Sequence, residues 1–220
     1  MRYIIGGILF LVGLGGLLFL QQQSGVAPLT PNPSTAIPSS GSGTPPTNSN
    51  VPISPNETPP HFSSCTGQVT PALTEGPYYK TGSPERTSLR ESDIAGERLV
   101  ISGYVFNKDC QPLPGAWLDF WQADTAGTYD NAGYKLRGHQ FTDSSGQYRL
   151  ETIIPARYSG RTPHIHVKVR PAAGSTLTTQ LFFPGEDQNE TDAIFNEALI
   201  VTTTGNTTPA AAIFNFVLNQ

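Results

Sequence analysis

Hydrophobic positions divide the chain into three stretches of different character. Tyr3 to Leu20 is an uncharged apolar run of 18 residues, placed between Arg2 and the triplet Gln21, Gln22, Gln23. That length lies at the lower edge of a membrane-spanning helix and is slightly long for a signal-peptide core, so residues 1–22 are expected to be a signal peptide or membrane anchor. Residues 23–61 are mostly Pro, Ser, Thr, Gly and Asn with scattered apolar residues. Such a stretch cannot bury enough surface to offset the entropy of ordering and is expected to be a disordered linker. From residue 62 to 220 the pattern changes to short apolar or alternating segments separated by turn signals. The period-two segments predict strands at Arg98–Phe106, Ala116–Trp121, Gln147–Ile153, His164–Val169, Thr179–Phe183, Leu199–Thr203 and Ala212–Leu218. Pro112–Gly115 and Asp143–Gly146 read as turns between them, while Thr191–Ala198 is compatible with a helical turn or a loop. The expected architecture is all-β, a single β-sandwich domain with long loops.

Composition sharpens this picture. The 22 glycines and 20 prolines among 220 residues suit turn-rich β structure and linkers rather than helix bundles. With a formal charge of −4 and no basic cluster, nothing supplies the positive surface that phosphate backbones demand, so nucleic acid is not an expected partner. Two cysteines, Cys65 and Cys110, are too few for a four-cysteine zinc site. In an exported chain that count favours one disulfide, with two buried thiols as the alternative.

Two of the four histidines stand in Arg161-Thr162-Pro163-His164-Ile165-His166-Val167. Strand alternation sends His164 and His166 to one face and Ile165, Val167 and Val169 to the other, so two imidazoles converge. His61 and His139 have no partner at ligand spacing, and no acidic residue completes the facial triad of iron(II) oxygenases. Six residues before His164, Tyr158 lies in a Pro- and Gly-bearing loop that can return a phenol over the strand. Phenolate is a hard anionic donor, so a tyrosine and histidine mixture favours iron(III) over zinc or calcium. Taken alone, Tyr158 could equally anchor its loop.

The segments Trp121-Gln122-Ala123-Asp124-Thr125-Ala126-Gly127-Thr128-Tyr129, Leu136–Asp143 and Tyr158 through His166 together resemble the intradiol ring-cleavage dioxygenases. The likeness extends from about Cys65 to Phe183 and is nearest to the protocatechuate 3,4-dioxygenase core and the exported branch of that family. The resemblance implies a non-haem Fe(III) cofactor held by Tyr129, Tyr158, His164 and His166. It further implies catalytic roles for Tyr158, Arg161 and Gln180, and a substrate wall formed by Pro77, Tyr79, Gly160 and Arg161. The implied partners are a small aromatic diol and O2, with contact to a membrane if the N-terminal segment is retained, and the implied location is extracytoplasmic. One departure concerns Gly160, which occupies the place of a tryptophan in the protocatechuate enzymes and predicts a more open pocket. Two other readings share parts of the pattern. A transthyretin-like or carboxypeptidase-regulatory-like module has similar turns but lacks the Tyr and His-x-His set. An exported copper protein would leave both tyrosines unexplained.

Overall fold

The computed structural model describes residues 65–204 and 210–220, all within the compact unit Ile53–Gln220. The expected anchor or signal, the linker and His61 lie outside the described residues. Nine strands are described: β1 (Arg98–Asn107), β2 (Trp117–Gln122), β3 (Arg137–Phe141), β4 (Gln147–Ile153), β5 (His164–Arg170), β6 (Leu177–Phe182), β7 (Thr202–Thr203), β8 (Ala210–Ile213) and β9 (Phe216–Leu218). Among the described residues the only helical pieces are short 3-10 turns at Asp187–Glu190 and Glu197–Leu199.

The strands form two sheets. One has the order β4-β1-β8-β7 with β9 also paired to β1, and the other has the order β3-β2-β5-β6. Leu99, Ile101, Tyr148 and Leu150 from the first sheet meet Leu118, Phe120, Ile165, Val167, Val169 and Leu181 from the second in one core. Period-two alternation accounts for this, because each of these strands gives alternate apolar side chains to the shared interior.

The other face of the second sheet is unusual in being buried as well. His164 and His166 on β5 are both buried, and so are Asp119 and Trp121 on β2. The segment from Thr70 to Ser88 makes this possible by crossing over that face. Leu73 N–H donates to Thr178 O, Thr179 Oγ1 donates to Pro71 O and Gln180 Nε2 donates to Thr74 O. Polar residues therefore sit beneath a cover rather than in open solvent, which is the physical condition for a functional cleft.

The expected strands agree with the observed ones in the middle of the chain and depart from them near its end. The segment expected as Ala212–Leu218 is two strands, β8 and β9, both parallel to β1 but separated by a break at Phe214 and Asn215. At that break β1 carries Gly103, where an added Cβ would lie 1.8 Å from Phe214 O, so only glycine lets the backbones approach. The expected strand Leu199–Thr203 is reduced to Thr202–Thr203, because Asn196 accepts the Ala198 N–H and tightens Glu197–Leu199 into a 3-10 turn. Strand β3 carries no apolar alternation and was not expected. Its Arg137 and Gln140 are buried polar residues whose partners lie elsewhere in the chain. Cys65 and Cys110 are joined in a disulfide with their Cα atoms 5.7 Å apart, which pins the start of the described chain to the turn after β1.

Candidate metal centre

The site forms where β5 meets two loops. On β5, His164 and His166 share the covered face, and their Nε2 atoms lie 3.1 Å apart. His164 Nδ1 lies 2.6 Å from Thr162 O. A carbonyl can only accept, so Nδ1 carries the proton and Nε2 presents a lone pair. His166 stacks on Trp121, its cross-strand neighbour on β2, with ring centroids 4.7 Å apart and planes 10° from parallel.

The loop after β2 delivers Tyr129. Asp124 Oδ1 accepts from Ala126 and Thr128 N–H, while Asp130 accepts from Ala132, Gly133 and Lys135 N–H, so an Asx-type closure stands on each side. Gly127 has a φ of +74°, and a Cβ there would lie 2.5 Å from Arg157 O. The loop can thus press against the Arg157–Tyr158 backbone. Tyr129 Oη comes 3.4 Å from His164 Nε2. Buried Arg137 ties the surroundings together, donating through Nε to Asp130 O and through Nη1 to Tyr78 O.

Tyr158 arrives from the turn before β5. Tyr158 and Arg161 pair across a two-residue turn, with Arg161 N–H donating to Tyr158 O at 2.7 Å. Ser159 and Gly160 both have positive φ, 46° and 77°, which is the signature of a type I′ hairpin. The turn sets Tyr158 edge-on to Tyr129, with centroids 5.5 Å apart and planes at 80°, and 6.2 Å from the His164 ring. Arg161 Nη2 donates to Gln180 Oε1 at 2.7 Å, and its Nε donates to Asp192.

The electrostatics bear on whether a metal fits. Burial lowers the pKa of His164 to about 4, and burial followed by the nearby His164 and Arg161 holds His166 well below the usual imidazole range. Both rings are therefore neutral at pH 7, the state in which imidazole binds metals. His166 Nδ1 is buried without a hydrogen-bond partner, an arrangement that costs about 1–3 kcal/mol. Burial also raises the pKa of Tyr129, and desolvation followed by the adjacent Tyr78 raises that of Tyr158. Without a cation the two phenols stay protonated, whereas a highly charged ion among these donors would ionise them. Two neutral nitrogen donors facing one another beside two phenols suit a hard trivalent ion such as iron(III). Among the described residues there is no cluster of three or more His, Cys, Asp or Glu that could serve instead.

The residues expected at the site are not all placed alike. Tyr129, Tyr158, His164, His166, Arg161 and Gln180 converge. Pro77 and Gly160 are exposed at its margin. Tyr79 turns its hydroxyl to Asp119 Oδ2 at 3.1 Å and packs on Trp121, behind the histidines. Its neighbour Tyr78 reaches the cluster, stacking on Tyr129 at 4.5 Å and meeting Tyr158 edge-on at 5.5 Å. Sequence reasoning also missed Asp192, which lies in a segment with no readable periodicity. A cavity of about 610 Å³ borders Tyr129 between Ile94, Gln122 and Leu136, but neither histidine nor Tyr158 lines it.

The β-sandwich thus gathers two histidines and two tyrosines in one covered cluster. The profile described as Dioxygenase matches residues 74–219, and the chain belongs to the intradiol ring-cleavage dioxygenase family. It is 31% identical over 180 residues to the catechol 1,2-dioxygenase of Acinetobacter baylyi, covering 68% of this chain and 58% of that protein. It is 30% identical over 128 residues to the protocatechuate 3,4-dioxygenase beta chain of Burkholderia cepacia, covering 50% of this chain and 54% of that one. Among solved structures, the dioxygenase domain of a dioxygenase carbohydrate-binding protein fusion from Streptomyces sp. SirexAA-E is 51% identical, with a TM-score of 0.67. The match covers 69% of this chain and 99% of that one. The chain spans less than two thirds of the length of these two curated relatives.

Proposed function

We propose that this protein is a non-haem iron(III) dioxygenase that uses O2 to cleave catechol-type rings between the two hydroxylated carbons, giving muconate-type diacids. The observation that carries this reading is the pair of neutral imidazoles turned Nε2 to Nε2 at 3.1 Å beside Tyr129 and Tyr158. Tyr129, Tyr158, His164 and His166 would hold the ion. When bound, iron(III) supplies Lewis acidity and a template for both diol oxygens.

The chain's own residues divide the remaining work. Tyr129 is the more buried phenol, stacked under Tyr78, and stays in place. Tyr158 is the more exposed one and stands on a two-residue turn, so its Oη is the group that accepts a proton from the entering diol. The Arg161 guanidinium, its plane set by Gln180, stabilises negative charge on the ring as it takes on keto character. Trp121 keeps the His166 ring in plane by stacking.

Access is proposed from the side of Gly160. That residue is exposed, and a Cβ built on it meets nothing within 4 Å, which supports entry of substituted catechols. The uncharged run Tyr3–Leu20 supports an extracytoplasmic protein, secreted or tethered, acting on diphenols released outside the cell. Product analysis of the iron-loaded protein with catechol tests the proposal. An intradiol diacid is expected, and a yellow extradiol semialdehyde or no product would contradict it.

A further inference from the structure

We infer that Asp192 is a positioning residue that sets two parts of the centre at once, the Arg161 guanidinium and Thr162, the residue whose carbonyl orients His164. The inference rests on the function proposed above and adds a residue to it. Asp192 lies between the two 3-10 turns, and its side chain has no exposed surface. Its Oδ1 and Oδ2 accept from Arg161 Nε at 2.9 and 2.8 Å. Oδ2 also accepts the Thr162 N–H at 3.0 Å, and Oδ1 accepts the Ile194 N–H at 2.9 Å. One carboxylate thus gathers a guanidinium and two peptide donors.

Each contact leads into the site. Through Arg161, Asp192 fixes the guanidinium from the Nε side while Gln180 Oε1 holds Nη2 from the other, and Gln180 Nε2 is anchored on Thr74 O. A planar group held at two edges cannot swing, so its charge stays where the ring's negative charge develops. Through the Thr162 N–H, Asp192 holds the residue whose own carbonyl, on the following peptide, accepts His164 Nδ1–H at 2.6 Å. That bond selects the tautomer with a bare Nε2 and sets the ring's direction. Partners of ligating histidines commonly contribute 10- to 100-fold in metal affinity. Asn189 reinforces the same joint, accepting from Thr162 Oγ1 at 2.7 Å and donating to Phe183 O at 2.9 Å. The segment after β6 thereby clamps the approach to β5.

The test compares the full-length parent with Asp192→Asn, Arg161→Gln and the double variant. Three quantities are read: ferric affinity by chelator competition, exchange of the Thr162 and Ile194 amides in metal-free protein, and kcat and KM for catechol. Asp192→Asn places an amide N–H against these donors. It is expected to lower ferric affinity about 10- to 100-fold and to speed exchange of both amides. It should also lower kcat more than it changes KM. Arg161→Gln should keep parental ferric affinity, and the double variant, compared per bound iron, should turn over no more slowly than Arg161→Gln alone. Parental ferric affinity and amide exchange in Asp192→Asn, or losses of kcat per bound iron that multiply in the double variant, would overturn the inference. If Asp192→Asn does not fold, Asp192→Ala is assayed with added formate. Saturable recovery of ferric affinity is then expected, and no recovery counts against the inference. A parent that binds no iron would sink the proposed function, while amide exchange would still report on Asp192.

Discussion

His164 Nε2 and His166 Nε2 face each other at 3.1 Å on the covered side of β5. In the metal-free protein this contact forces an awkward proton arrangement. His164 already uses its Nδ1 proton on Thr162 O, so His166 must donate from Nε2, and its own Nδ1 is left as a bare, buried acceptor. A cation held by both histidines would relieve the conflict between the two Nε2 atoms, because each would then offer it a lone pair. His166→Ala is therefore expected to lose iron, whereas Tyr158→Phe keeps most of its iron but little of its turnover. Iron content per chain, measured beside catechol turnover, checks both. Full iron and full activity in both variants would show that the site lies elsewhere.

The Tyr158–Arg161 turn makes a paired prediction about stability. Ser159 pays for its left-handed conformation with a φ of 46°, while Gly160 at 77° is at ease. Ser159→Gly is expected to be neutral or to stabilise by up to about 1 kcal/mol, and Gly160→Ala to destabilise by about 1 kcal/mol, with no clash in either case. Denaturant midpoints of the two variants give the signs directly.

The disulfide joins Cys65 and Cys110 across a sequence separation of 45, and Cys65 packs against a small cluster of Tyr104, Phe106 and Val217. Loop-closure entropy for that length corresponds to about 4 kcal/mol at most. Unfolding with and without reductant should differ by about 2–4 kcal/mol. Equal midpoints would show that the cross-link adds nothing to stability.

Acid should weaken the fold partly through Asp192. Burial alone would raise its pKa, but the Ile194 amide, the Arg161 guanidinium and the Thr162 amide together hold it below the usual carboxylate range. A depressed folded-state pKa contributes stability above the unfolded value of about 3.9, and the contribution is lost as pH falls through the folded value. The stability gap between parent and Asp192→Asn should thus be full at pH 6 and shrink below about pH 4. A gap that stays constant down to pH 2 would contradict this assignment of charge.

The core was legible in the sequence wherever one rule dominated. Gln147–Ile153 and the start of β5 follow from alternation alone, because one face of each meets a continuous apolar interior. His164 and His166 were legible for the same reason, since period two places them together. Strand β3 escaped because Arg137 and Gln140 are buried for their hydrogen bonds rather than for apolar contact. The choice between Tyr78 and Tyr79 could not be read from adjacent positions, because it depends on Asp119 and Ser83 forming a buried polar nest beside Trp121. Asp192 was invisible because its partners are 30 and 31 residues away in a turn that carries no periodicity.

The central claim is that Tyr129 and Tyr158 join His164 and His166 around iron(III). It is tested most directly by the visible absorption spectrum of the protein titrated with ferric ion. Phenolate bound to iron(III) absorbs in the visible, so the account predicts a coloured protein that saturates at one iron per chain. The band should be altered in Tyr158→Phe and abolished in His166→Ala. A colourless protein after ferric loading, or a colour indifferent to both substitutions, would contradict it.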